Sequence, residues 1–141
     1  MDYTQFVEGI LHEPTQTEGR GLDLTAAEVY EVTGPGRVDF GGGELEPADV
    51  EPCPSQKRNE DDDYEWWHLD AGQYLLEYNE SLTAGNLALT IQTRDELRAR
   101  GAFHPTLRAT DLDPVPLSVG GAGLLLKENA RVSTVVGAEP A

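Results

Sequence analysis

The amino-acid sequence predicts an all-β protein, and three observations support that class. Its 141 residues include 15 glycines and 9 prolines, a composition that favours turns and short strands over long helices. Apolar Leu87, Leu89 and Ile91 alternate with smaller or polar neighbours, as the residues of a half-buried strand do. Turn signals recur about every eight to twelve residues, which is typical of a sandwich or a barrel. We therefore expect a single domain spanning residues 1–141.

The N-terminal part of the chain predicts one short helix, then strands, then an exposed loop. Apolar residues recur there at three- and four-residue spacing, which predicts a short helix that ends before Pro14. The recurring residues are Tyr3, Phe6, Val7, Ile10 and Leu11. The following residues, up to about 45, read as short strands separated by glycine-rich turns. Residues 46–64 combine three prolines with a dense acidic cluster. We expect them to form a mobile, acidic surface loop rather than a regular element.

The remaining chain predicts further strands and one short helical segment. An aromatic strand is expected in "EWWHL" before a turn at residues 70–72, and a second strand through residues 74–78. A third is expected at residues 87–92, where apolar and smaller or polar residues alternate. Residues 95–100 predict one or two helical turns that end at a glycine. A "GGAG" turn at residues 120–123 predicts that the segments on either side of it pair as a hairpin.

The charge balance points to a salt-rich environment and excludes one class of partner. The chain has 26 acidic and 10 basic residues, a formal net charge of −16, and its only lysines are Lys57 and Lys127. Concentrated salt screens repulsion between carboxylates, so this composition predicts a halophilic source. Nucleic acid is itself a polyanion, and the sequence shows no basic patch to bind it. Nucleic acid is therefore not an expected partner.

Cysteine usage and hydropathy predict the compartment. Cys53 is the sole cysteine, which rules out an intrachain disulfide and any metal site built on paired cysteines. The sequence has no run of about 18 apolar residues, and its N-terminus lacks the pattern of a signal peptide. We expect a cytoplasmic protein that does not enter a membrane.

Four segments together resemble one protein family. They are "GRGLDLT" at 19–25, "LDAGQYLLEYNE" at 69–80, "LALTIQTRDELRARGAF" at 87–103 and "LLLKENARVSTV" at 124–135. In order and spacing they resemble the trimeric dUTPase and dCTP deaminase superfamily, especially its archaeal members. The resemblance implies a distorted β-barrel, a homotrimer, and active sites at subunit boundaries. It also implies magnesium-assisted cleavage of dUTP to dUMP and diphosphate, with Asp23 as the carboxylate that helps to hold the metal.

The resemblance also suggests residues that bind and cleave the nucleotide. Arg94 matches the family's phosphate-binding arginine, and Gly101 matches a glycine of the same motif. Asp95 and Glu96 stand where the family has two serines. A carboxylate is acceptor-only and negatively charged, so these two side chains are expected to oppose a phosphate. Asp111 or Asp113 is the candidate general base, although the hairpin that usually presents it is shortened.

Three functions are consistent with these residues. The first is a homotrimeric protein of pyrimidine deoxynucleotide metabolism that has the superfamily fold but weakened or lost dUTP hydrolysis, and that binds a nucleotide or has a structural role. The second is an active dUTP diphosphatase that uses magnesium. The third is an unrelated acidic β-domain that binds a protein partner.

Overall fold

The computed structural model describes residues 1–83 and 85–141. Strands account for 48% and helical turns for 9% of the residues, which confirms the all-β class. In chain order the strands are β1 (Val7–Glu8), β2 (Leu22–Gly34), β3 (Asp49–Pro52), β4 (Ser55–Gln56), β5 (Trp66–Leu69), β6 (Gly72–Tyr78), β7 (Ser81–Leu82), β8 (Leu87–Thr93), β9 (Ala102–Phe103), β10 (Leu107–Ala109), β11 (Val115–Val119), β12 (Leu124–Lys127) and β13 (Arg131–Pro140). The helical turns are a 3-10 turn (Tyr3–Phe6), α1 (Glu13–Gln16) and α2 (Asp95–Arg98). Across these ranges, none of the helices is long and apolar enough to span a membrane.

One curled antiparallel sheet dominates the fold and forms half of a barrel. Its strand order is β10–β8–β13–β2–β6–β11–β9, and β3 adds to the far part of the long strand β2. A three-stranded sheet, β12–β5–β4, and the pair β1–β7 complete the set. The centre of the curl is filled by fully buried aliphatic side chains: Leu22, Leu24, Leu76, Leu89, Ile91 and Leu117. Burial of each such side chain contributes about 1.5–3 kcal/mol to the stability of the fold. The packing of these side chains therefore stabilises the curled sheet.

The register of the central strands positions the functional side chains. Asp23 of β2 lies opposite Thr134 of β13, and Ser133 of β13 lies opposite Thr93 at the end of β8. Arg94 follows β8 directly, and its backbone N–H extends the pairing by donating to the carbonyl of β13 residue 132 at 3.0 Å. The starts of β2 and β13 and the end of β8 therefore meet at one place on the sheet.

The predicted N-terminal helix is present only as separate turns. The 3-10 turn ends at Phe6, and β1 then pairs with β7 where the helix was expected to continue. Gly9 has φ of 82°, a left-handed conformation that interrupts any helix. Pro14, which was expected to follow the helix, instead lies in the first turn of α1, where a missing N–H costs nothing.

Two further predictions about elements are wrong. The segment 46–64 is mostly exposed, as expected, but it is not a loop throughout. Its strand β3 pairs with β2, and its strand β4 pairs with β5. The expected hairpin on either side of the "GGAG" turn does not form either, because β11 pairs with β6 and β9 while β12 pairs with β5. The turn instead carries the chain from one sheet to the other.

Candidate functional site

A cleft lined by arginines and carboxylates opens where β2, β8 and β13 meet. Its volume is about 210 Å³. We call it the arginine cleft and define it by its lining residues: Glu18, Gly19, Arg20, Asp23, Arg94, Asp95, Glu96, Arg131 and Thr134. Three guanidinium groups and four carboxylates therefore face one small space.

Asp23 is the buried centre of the arginine cleft. Its side-chain Oδ1 accepts a hydrogen bond from Thr134 Oγ1 at 2.8 Å. Its Oδ2 lies 3.2 Å from Arg131 Nη1 and 3.5 Å from Arg94 Nε. A buried carboxylate needs such partners, and in return it fixes the orientation of both guanidinium groups. Each guanidinium carries five N–H donors, so both arginines retain donors for a ligand in the cleft.

Asp95 and Glu96 lie at the exposed rim of the same cleft, and each has an arginine partner. Asp95 Oδ1 accepts from Arg20 Nη2 at 3.1 Å and also from Arg98 Nη2. Glu96 Oε2 lies 3.6 Å from Arg100 Nη1. These ion pairs partly neutralise the two carboxylates that were predicted from the sequence to repel a phosphate. Their repulsion of an anion in the cleft is therefore smaller than two free charges would give.

The other predicted site residues lie outside the arginine cleft of this chain. Gly101 has φ of 84° and ends the turn after α2, but it does not line the cleft. Asp111 and Asp113 line a second cavity of about 290 Å³, together with Tyr78, Ile91 and the segment from residue 107 to 116. Both aspartates are exposed, and Asp111 Oδ1 accepts a hydrogen bond from the adjacent backbone N–H at 2.8 Å. Within one chain, the candidate general bases are separate from the arginine cleft.

Comparison with known proteins places the chain in a family. It is 33% identical over 135 residues to the "Probable deoxyuridine 5'-triphosphate nucleotidohydrolase" of Methanosarcina acetivorans, an alignment that covers 89% of this chain and 74% of that protein. The chain belongs to the dUTPase and dCTP deaminase superfamily. The protein of the same description from Methanosarcina mazei is 30% identical over the same shares of the two chains. This membership confirms the resemblance and contradicts the alternative of an unrelated β-domain.

A solved structure agrees with the superfamily fold. The 2'-deoxycytidine 5'-triphosphate deaminase from Agrobacterium tumefaciens superposes with a TM-score of 0.57 at 14% identity. The superposition covers 94% of this chain and 43% of the deaminase, so the chain spans less than half of that protein's length. At this identity the match supports the fold alone. No family model matches the chain.

The superfamily resemblance implies a magnesium ion near Asp23, but the residues here do not fit a metal held directly by that carboxylate. Both oxygens already accept hydrogen bonds, and two guanidinium groups lie within 3.5 Å of Oδ2. A divalent cation at the same oxygen would face two positive charges at short range. In the described ranges, no group of three or more His, Cys, Asp or Glu side chains is placed to hold a metal ion. Asp23 is therefore an orienting group for arginines in this structure.

Sequence reasoning missed five residues of the arginine cleft: Glu18, Gly19, Arg20, Arg131 and Thr134. A signal for four of them was present, because Gly19 and Arg20 lie in "GRGLDLT" while Arg131 and Thr134 lie in "LLLKENARVSTV". Both segments had already been matched to the superfamily. Glu18 lies just outside the first of these segments, and no motif pointed to it.

Two buried polar networks support the sheet behind the site. Glu80 accepts hydrogen bonds from Thr25 N, Thr25 Oγ1 and Gln16 Nε2 at 2.9, 2.6 and 3.0 Å, and burial raises its pKa. Gln16 Nε2 also donates to the carbonyl of Asp23 at 2.9 Å, which ties α1 to the start of β2. These contacts hold the backbone at Asp23.

The second network lies under β13. Tyr78 Oη and His104 Nε2 each lie within 2.7 Å of Ser133 Oγ. Burial raises the pKa of Tyr78 to about 12 and lowers the pKa of His104. Because Tyr78 lines the second cavity and Ser133 neighbours Thr134, this network lies between the second cavity and the arginine cleft.

Proposed function

We propose that this chain binds the triphosphate of a pyrimidine deoxynucleotide in the arginine cleft. The observation that carries the proposal is the convergence of Arg20, Arg94 and Arg131 on one small cleft. The buried carboxylate of Asp23 orients two of them, Arg94 and Arg131. Guanidinium groups bind phosphates through paired N–H donors, and orientation by a buried carboxylate reduces the entropy lost on binding. The names of the two archaeal relatives support a deoxyuridine nucleotide as the ligand.

We propose further that dUTP hydrolysis by this chain is weak. A general base must lie within hydrogen-bond reach of the water that it activates. Within one chain Asp111 and Asp113 border a different cavity, so a base could reach the arginine cleft only from a neighbouring copy. Asp95 and Glu96 also add negative charge at the cleft rim, which opposes a triphosphate there. Magnesium in this proposal accompanies the triphosphate rather than binding to Asp23.

The second candidate is an active dUTP diphosphatase, which the printed names of both relatives favour. This function needs a neighbouring copy to bring Asp111 or Asp113 to the arginine cleft. A homotrimer, which superfamily resemblance implies, is the assembly we propose. Exposed apolar side chains support burial against another copy: Val38 and Phe40 on one hairpin, and Leu125 on β12. Light scattering in molar salt is expected to give three times the chain mass of 15.4 kDa.

The binding proposal is tested by calorimetric titration of dUTP, with and without magnesium, in 1 M KCl. We expect saturable binding, and we expect Arg94→Gln to weaken it by about tenfold or more, because a hydrogen bond from a charged donor contributes about 1.5–3 kcal/mol. Arg37→Gln is the matched control, since Arg37 is an exposed arginine in an ion pair outside the cleft. Absence of dUTP binding, or equal losses in the two variants, would contradict the proposal.

A diphosphate-release assay on the same samples separates the two candidate functions. Binding without diphosphate release supports the weak-hydrolysis proposal. Release that Asp111→Asn or Asp113→Asn abolishes favours the active enzyme. The salt-rich cytoplasm that the acidic composition suggests makes 1 M KCl the appropriate condition.

A further inference from the structure

The Glu18 carboxylate occupies a guanidinium donor that a phosphate in the arginine cleft would need. It lies in the short connection between α1 and β2, at the edge of the cleft. Its Oε1 accepts a hydrogen bond from Arg131 Nη1 at 2.9 Å. The Glu18 side chain is 58% exposed, whereas that of Arg131 is 22% exposed. The carboxylate therefore approaches Arg131 from the solvent side, the side from which a soluble anion arrives.

Arg131 Nη1 has more acceptors than hydrogens. Besides Glu18, it lies 3.0 Å from the carbonyl oxygen of Thr15 and 3.2 Å from Asp23 Oδ2. An Nη nitrogen carries two hydrogens, so three acceptors compete for two donors. The Thr15 carbonyl belongs to α1, and the Asp23 carboxylate is buried and held by Thr134. Glu18 is the exposed acceptor of the three, and it is the one that a ligand displaces most easily.

The other rim carboxylates do not compete in the same way. Asp95 Oδ1 is shared by Arg20 and Arg98, so Asp95 keeps a partner when Arg20 turns to a ligand. Glu96 pairs with Arg100, which does not line the cleft. Of the cleft carboxylates, Glu18 is thus the exposed one that pairs with the guanidinium anchored on Asp23.

We infer that Glu18 is an internal competitor for the phosphate site, an affinity- and specificity-determining residue that a polyanionic ligand displaces from the Nη1 donor of Arg131. The inference rests on the proposed triphosphate binding. The terminal phosphate of a triphosphate at pH 7 carries about 1.5–2 negative charges and three acceptor oxygens, against one charge for the carboxylate. It therefore replaces Glu18 at Arg131, while weaker or singly charged anions are disfavoured.

The experiment compares Glu18→Gln with Glu139→Gln, using inorganic triphosphate and dUTP as separate probes. Glu139 is the matched control, because it pairs with an arginine at 2.8 Å, is 57% exposed, and lies outside the arginine cleft. Titrations in 1 M KCl limit the screening length to about 3 Å, so the common loss of one negative charge has little long-range effect.

We expect Glu18→Gln to bind both probes about fivefold or more tightly than the unmodified chain, and Glu139→Gln to bind them unchanged. Equal gains in the two variants would overturn the inference in favour of a general charge effect. An unchanged or lower affinity of Glu18→Gln, with clear binding by the unmodified chain, would overturn the inference alone. Failure of every variant to bind either probe would overturn both the inference and the proposed function.

Discussion

At the scale of single residues, the buried ring of His104 shows how the sheet fixes a protonation state. Its Nδ1 lies 2.7 Å from the carbonyl oxygen of Pro105, and its Nε2 lies 2.7 Å from Ser133 Oγ. A carbonyl oxygen only accepts, so Nδ1 carries the proton and Nε2 of the neutral ring accepts from Ser133. Ser133 can then accept from the Tyr78 hydroxyl at 2.6 Å. The neutral imidazole completes a chain of hydrogen bonds that runs in one direction.

This arrangement predicts a loss of stability in mild acid. Burial lowers the pKa of His104 below its ordinary value of 6.5, so the unfolded chain binds more protons as pH falls through that value. The stabilising contribution of His104 is therefore fully present above about pH 6.5 and is lost as pH falls towards the folded-state pKa. We expect the free energy of unfolding to fall between pH 7.5 and 5.5, and to fall less in His104→Gln.

Urea unfolding at fixed salt, at three pH values, measures both slopes. Glu80 acts in the opposite direction, because burial raises its pKa and its contribution is lost as pH rises. Glu80 and the exposed residues His12 and His68 are present in both proteins, so the difference between the slopes reports His104. Identical slopes in the two proteins would contradict the prediction.

The sequence identified part of the cleft because those residues lie in motifs. Asp23 and Arg94 were predicted from two of the four segments, and the structure brings their charged groups within 3.5 Å. Arg131 was missed because its contact with Asp23 spans 108 positions of the chain and depends on the register of β13 against β2. Arg20, which pairs with Asp95, is 75 positions away along the chain. The residues around Asp95 in the sequence therefore could not show that its carboxylate has a partner.

At the scale of elements, the approach of β2 to β13 depends on one glycine. A Cβ atom on Gly21 would lie 2.0 Å from the carbonyl oxygen of Val135 and 3.2 Å from Thr134 Cγ2. The first of these contacts is with backbone, which cannot move without separating the strands. Gly19, two residues earlier, has no neighbour within 4 Å of such an atom. The same substitution therefore has opposite steric consequences at the two positions.

We expect Gly21→Ala to lower the free energy of unfolding by at least about 2 kcal/mol, at the upper end of overpacking costs. Gly19→Ala is expected to change it by about 0.5 kcal/mol or less, as for an exposed position. Chemical denaturation of both variants measures the difference. Because separating β2 from β13 also separates Asp23 from Thr134, Gly21→Ala is expected to weaken dUTP binding as well. Similar stabilities for the two variants would show that the strands adjust to the extra atom.

Elements with local signals were predicted better than elements made by distant pairing. The alternating segment at β8 and the helical turn at α2 were both found, because side-chain periodicity and a terminal glycine define them locally. β3 was missed because its exposed, acidic residues lack a strand pattern, and it forms only by pairing with the end of β2. β1 reads as helix from its apolar spacing, but its pairing with β7 determines its structure.

At the scale of the whole molecule, the ion pairs leave most of the negative charge without a partner. In the described residues, all eight arginines pair with acidic side chains, yet these involve seven of the 26 acidic residues. Apart from the two pairs with the buried Asp23, these ion pairs are largely exposed and contribute about 0–1 kcal/mol each. Repulsion among the remaining carboxylates therefore dominates the surface electrostatics, in keeping with the net charge of −16.

This imbalance predicts a strong dependence of stability on salt at neutral pH. The screening length falls from about 10 Å at 0.1 M to about 3 Å at 1 M, which removes most repulsion between neighbouring surface carboxylates. We expect the melting temperature at pH 7 to rise by about 10 °C or more between 0.1 and 2 M KCl, equivalent to about 2–3 kcal/mol for a chain of this size. Scanning calorimetry measures the rise at a fixed protein concentration, because the melting temperature of an assembling protein also depends on its concentration.

The same measurement near pH 4.5 separates screening from the general effect of salt on apolar burial. The sequence isoelectric point is about 4.3, so the folded chain there carries little net charge and has little repulsion for salt to screen. A salt effect that acts through apolar burial persists at that pH, whereas one that acts through charge largely disappears. We therefore expect the slope of melting temperature against salt to be several times smaller at pH 4.5 than at pH 7. Equal slopes at the two pH values would mean that salt stabilises this protein by strengthening its core and not by screening its carboxylates.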